Sequence, residues 1–127
     1  MEKVLGRFSD KLYSLLRIFA GFMFLQHGAQ KLFGALGGNQ AELFSLMGLA
    51  GVIEFFGGLA IMLGIFTSWA AFLASGTMAT GYFMAHAPDG FWTVTNRGET
   101  AVLYCFGFLY MAAKGDGAWS LGGLLRK

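Results

Sequence analysis

The stretch Arg17–Phe33, RIFAGFMFLQHGAQKLF, limits what this chain can become. It reads as the second half of a membrane-spanning helix, yet it carries Arg17, Gln26, His27, Gln30 and Lys31. An ionised group near a helix centre costs about 2.5–3.5 kcal/mol on insertion, against roughly 0.3–0.6 gained per Leu, Ile, Phe or Val. Such residues are kept only near a helix end, facing a polar interior, or paired. His27 and Lys31 stand one turn apart and share a face, as do Gln26 and Gln30. One side of this helix is polar in its last two turns, and another element has to face it.

The rest of the chain agrees with a membrane setting. It is 56% hydrophobic and 13% charged, whereas a soluble domain carries about 25% charged residues. The 127 residues suit a single domain spanning 1–127, an all-α polytopic membrane protein built as a four-transmembrane-helix bundle. A net charge of +2 with no basic run argues against nucleic-acid binding. One cysteine, Cys105, excludes an internal disulfide or a CxxC pair and reads as a small core residue. No cleavable signal is evident, so the first helix is expected to act as an uncleaved anchor.

Helix 1 is predicted over Leu12–Phe33, with Ser9 and Asp10 as caps. A loop follows, in which Leu43, Phe44 and Met47 suggest a short interfacial helix. Helix 2 is predicted over Gly48–Phe66, with Glu54 its only charge. A tight hairpin at Thr67-Ser68 leads to helix 3, Trp69–Ala87. After a Pro-Asp-Gly turn, helix 4 is predicted over Arg97–Lys114, and a surface tail carries Trp119 as an interfacial anchor. Lys3, Arg7, Lys11, Lys114, Arg126 and Lys127 gather on the side shared by both termini. The positive-inside rule then places both termini in the cytoplasm of a bacterial inner-membrane type of protein.

This topology sets depth. Glu54 lies about 9 Å below the outer end of helix 2. His27 and Lys31 lie near the outer end of helix 1, His86 at that of helix 3, and Asn96, Arg97 and Glu99 at that of helix 4. Four helices are therefore expected to bring His27, Lys31, Glu54, His86 and Glu99 to one level. Bland readings stand beside the functional one: Lys31 snorkelling, an Asn96–Glu99 capping box, and Gly51, Gly57, Gly58 and Gly64 as packing notches. A lone carboxylate two turns into lipid resists such a reading best.

In order along the chain stand R-x9-HG-x2-KL (Arg17, His27, Gly28, Lys31, Leu32), G-x2-E-x2-GG-x5-G (Gly51, Glu54, Gly57, Gly58, Gly64), N-x-GE (Asn96, Gly98, Glu99) and G-x-G-x2-SL (Gly115, Gly117, Ser120, Leu121). In these four pieces, from about Arg17 to Leu125, the chain resembles the DoxX family of small four-helix membrane proteins. The resemblance implies a redox association, since the family name comes from small subunits of a thiosulfate:quinone oxidoreductase. Relatives are linked to oxidative-stress complexes with a superoxide dismutase and a sulfurtransferase. The family commonly has Asp after the closing Ser-Leu; this chain has Gly122, which leaves any role of that acid in doubt.

Several functional readings stay open at this point. In the first, the outer half binds a quinone or a similar polar-headed molecule. Glu54, His27 and Glu99 are then the catalytic candidates, and Lys31, His86, Asn96 and Arg17 the substrate-binding ones. A bis-histidine haem on His27 and His86 is a lesser alternative. A carboxylate–histidine metal site lacks the Glu-x-x-His pairs of di-iron bundles, so no metal ligands are assigned. In the last reading the charges are structural and the protein is a non-catalytic membrane partner or assembly subunit. The expected partners are the lipid bilayer, a redox partner protein and further copies of the chain.

Overall fold

The structure is a computed structural model, and it describes residues 1–126. All regular structure among these residues is helical. The chain opens with α1, Glu2–Leu5, passes through a 3-10 turn and enters α2, Ser9–Phe33. Because the backbone is already helical on entry, the predicted caps Ser9 and Asp10 are not used as caps; Phe8 holds the N-cap position without a side-chain bond. Gly34, at φ +66°, ends α2 in the left-handed conformation that glycine adopts without strain.

The predicted interfacial helix near Leu43–Met47 does not form. Instead Ser45 caps α3, Leu46–Val52, its Oγ accepting from the Gly48 amide at 3.1 Å. That helix continues without a break through a π turn, Ile53–Gly57, into α4, Gly58–Leu63. The reversal falls at Gly64–Phe66, slightly earlier than predicted, because Gly64 takes φ +72°. Thr67 therefore opens α5, Thr67–Gly81, which runs on through a second π turn, Tyr82–His86. A short α6, Thr93–Asn96, precedes α7, Glu99–Lys114, and α8, Leu121–Leu125, closes the described chain.

Of the four expected spans, one stretch, Leu46–Leu63, is both long and apolar enough to cross a membrane by those two measures. α2 has the length but carries Asp10, Lys11, Arg17 and Lys31, and α7 has 16 residues. Large apolar side chains cover the outside nonetheless, among them Phe19, Phe72, Leu103 and Phe106, an exterior unlike that of a soluble monomer.

Backbone-to-backbone contact joins α2 to the α3–α4 rod. A Cβ added at Gly21 would lie 2.5 Å from the Met62 nitrogen, one at Gly58 would lie 2.6 Å from the Leu25 nitrogen, and one at Gly28 would collide with the Phe55 backbone. These glycines bring two helices close enough for side chains on either side to interlock. α7 rests on α5, and there two serines bond across the interface, Ser75 Oγ to the Cys105 carbonyl at 2.7 Å and Ser68 Oγ to that of Ala112 at 2.6 Å. Phe24, Ile61, Ala71, Ala74, Phe108 and Met111 fill the centre.

Candidate functional site

Gly28 is the local cause of the site. Where it lets α2 touch the π turn, Lys31, one turn further on, arrives beside Glu54. The Lys31 ammonium donates to both Glu54 carboxylate oxygens at 2.7 Å. Glu54 is 2% exposed and Lys31 24%, so the carboxylate is enclosed while the ammonium keeps one side open. Glu54 also sits inside the π turn, a distortion often found where a helix re-aims a functional side chain.

The open side faces a cavity of about 750 Å³ between α3, the π turn and α5. Its walls are mostly apolar, with Ile53, Phe72, Met78 and Met84 prominent beside Ser75, Thr77 and Thr80, and the Lys31–Glu54 pair supplies the charge. Gly76 of α5 lines it too, and a Cβ there would meet nothing within 4 Å. A mostly apolar space of this size with one fixed ion pair and a few hydroxyls has the make-up of a small-molecule site.

The other expected members of the site lie elsewhere. His27 is exposed, makes no hydrogen bond among the described residues and lines a different cavity, between α2 and α7. Glu99 is exposed at the start of α7, likewise without a hydrogen bond or ion pair among the described residues. His86 places Nδ1 2.9 Å from the Asn96 carbonyl oxygen and stacks on Tyr82. Asn96 is buried, donates to the Tyr82 hydroxyl and the Gly90 carbonyl, and accepts from the Gly98 amide. It fixes a loop instead of opening α7 as a capping box, because Arg97 takes φ +62° and interrupts the helix between Asn96 and Glu99. The expected meeting of five residues is thus a meeting of two. His27 lines the α2–α7 cavity and His86 does not, and among the described residues no three His, Cys, Asp or Glu side chains gather as a metal site would require.

A scan against family models matches DoxX over residues 12–87, and a Haemophilus influenzae chain described as an uncharacterized protein is 39% identical over 124 residues, covering 92% of each. The chain belongs to the DoxX family. No solved structure matches it. The DoxX match holds Arg17, His27, Lys31, Glu54 and His86, and the family is membrane-associated.

Arg17, expected among the ligand-binding residues, is fully buried at the opposite end of this DoxX chain from the Lys31–Glu54 pair. Its Nε donates to the Ile61 carbonyl at 2.9 Å, and its two terminal nitrogens donate to the carbonyls of Asp116 and Trp119. The guanidinium so ties the end of α4 and the tail to α2. Beside it stands Asp116, which sequence reasoning passed over. Its carboxylate accepts from the Thr67 amide at 3.0 Å, at the start of α5, and from Arg126 at 2.8 Å. Burial alone would push this carboxyl up, but the hydrogen bonds from Arg126 and Thr67 prevail and hold it below the usual carboxylate range. An aspartate in place of Gly122 has no room here, since a Cβ on Gly122 would collide with the Asp116 carboxylate.

Proposed function

We propose that this protein is a four-span inner-membrane protein, both termini cytoplasmic, whose Lys31–Glu54 cleft binds an uncharged, polar-headed molecule of the quinone class in a redox setting. One observation carries the reading: a neutral ion pair, its ammonium partly open, stands in an otherwise uncharged and mostly apolar cavity of about 750 Å³. An ammonium has three donors, and Glu54 takes two. The third is available to a carbonyl oxygen. Because the pair already balances its own charge, an anionic ligand would find no counter-charge left, whereas a neutral carbonyl loses nothing by entering. Within this reading Lys31 positions the head and Glu54 is the group that exchanges protons with it. His27 and Glu99, exposed elsewhere, take no part at the cleft. Electron supply falls to a redox partner protein.

The test is calorimetric titration of the purified protein in nanodiscs with a short-tailed ubiquinone analogue. Saturable binding is expected, weakened about tenfold or more by Lys31→Met, since one charge-assisted hydrogen bond is worth about 1.5–3 kcal/mol. Gly76→Leu fills the cavity without a backbone clash and should abolish binding. Wild-type protein without saturable binding, or unchanged binding to Gly76→Leu, overturns the proposal. A structural reading of the same pair is favoured by its position across the α2–π-turn contact at Gly28, where it clamps two helices whether or not anything binds.

A further inference from the structure

A second cavity, about 830 Å³, runs along the seam between α2 and α7. Here the two helices approach through aromatic side chains, Phe24 lying 4.8 Å from Phe108 and 5.7 Å from Tyr104 between ring centres. Polar groups collect at one end: Gln26 and His27 from α2, and Thr100 from α7. None of the three makes a side-chain hydrogen bond among the described residues, so their donors and acceptors are unspent. From that level down to Leu16, about 16 Å along α2 at 1.5 Å per residue, the walls are apolar but for Tyr104, with Met23, Ala20, Leu103 and Met111 prominent. No Lys, Arg, Asp or Glu lines the seam.

Gly107 adds an independent observation. It lies in the middle of α7, where glycine weakens a helix relative to alanine, yet a Cβ there would meet nothing within 4 Å. Unlike Gly21, Gly28 and Gly58, it brings no backbone close in return. What it leaves is depth in the seam, halfway down the apolar part.

We propose that the α2–α7 seam binds a single-chain amphiphile with an uncharged hydrogen-bonding head, of the monoacylglycerol type. The head bonds to Gln26, His27 and Thr100, and the chain lies over Gly107 toward Leu16. A charged head would be drawn from water to a groove with no countercharge, which disfavours it against a hydroxyl or ester head. This site is separate from the Lys31–Glu54 cleft, with no lining residue in common.

The experiment is photolabelling of the whole protein in phosphatidylcholine nanodiscs with a monoacylglycerol bearing a diazirine near its chain end. Labelled positions, mapped by mass spectrometry, should cluster at Leu16–Met23 and Gly107–Met111, and unlabelled monoacylglycerol should compete. Gly107→Leu should abolish that labelling, while Gly76→Leu, which fills the other cleft, should leave it intact. Gln26→Leu or Thr100→Val should each weaken competition about fivefold, as expected for one lost hydrogen bond. These two variants also carry the test should Gly107→Leu fail to fold, as judged by elution and circular dichroism. Labelling spread evenly over Phe72, Leu73 and other exposed positions of α5, indifferent to every variant, means annular lipid and overturns the site. Equal labelling by the matching fatty-acid probe overturns the uncharged head.

Discussion

At position 54 a carboxylate gives up nearly all its water for one partner. Glu54→Gln leaves an ammonium with only one open side and should lower stability, by less than the about 3–5 kcal/mol of a fully buried broken pair, and Lys31→Met placed on top should recover part of the loss. Thermal unfolding of the four proteins in detergent measures this, and strictly additive losses would mean the pair contributes no coupling. A second acid, Asp116, responds to pH with a definite sign. Its folded-state pKa lies below its unfolded value of 3.8, so its contribution is present at neutral pH and is lost as pH falls through the folded value. Asp116→Asn should therefore destabilise the protein at pH 7, and the difference should shrink as pH is lowered below 3.8, in unfolding curves recorded across that range. Glu54 was legible in the sequence because a lone carboxylate in an apolar helix is so costly that it demanded a partner, whereas Lys31 read equally well as a snorkelling side chain. His27 and Glu99 were not separable from them by depth alone, since level says nothing of which face a residue presents. Asp116 gave no local signal: its partner Thr67 lies 49 positions away, and the flanking glycines read as an ordinary turn.

The helices differ in what their glycines do, and this can be measured. Gly28→Ala drives a methyl into the Phe55 backbone and should cost about 1–3 kcal/mol, the usual range for overpacking. Gly76→Ala points a methyl at open space and should raise stability by up to about 1 kcal/mol. Melting temperatures of the two variants moving the same way would contradict the packing described. Hydropathy placed the long helices to within a few residues, because apolar runs separated by Gly, Pro and Asn leave few other divisions of the chain. The π turns at Ile53–Gly57 and Tyr82–His86 were invisible, since one extra residue per turn does not disturb an apolar run. That omission matters at Glu54, whose direction depends on the turn it occupies. Arg97 shows the converse: expected to open helix 4 behind an Asn96 cap, it takes a left-handed backbone instead, so α7 starts only at Glu99 and a short α6 forms in what read as loop.

At the scale of the molecule, both chain ends meet at one end. Tyr13 donates to the Gly115 carbonyl at 2.6 Å and Lys114 lies 3.8 Å from Asp10, while the loops after Phe33 and after His86 lie at the other. Reporter fusions within Gln40–Leu46 and after Lys114 should accordingly report opposite sides of the membrane, exterior and cytoplasm. Two fusions on one side would remove the four-span proposal. Arg17 carries a consequence for how such a chain is made. Its carbonyl partner at Trp119 is 102 positions downstream, and at translation rates of about 5–20 residues per second the ribosome reaches it roughly 5–20 s after making Arg17. For that interval α2 holds an arginine with at most one of its three carbonyl partners, that of Ile61, in existence. The newborn protein therefore cannot close the bonds around Arg17 until the segment after α7 has been synthesised.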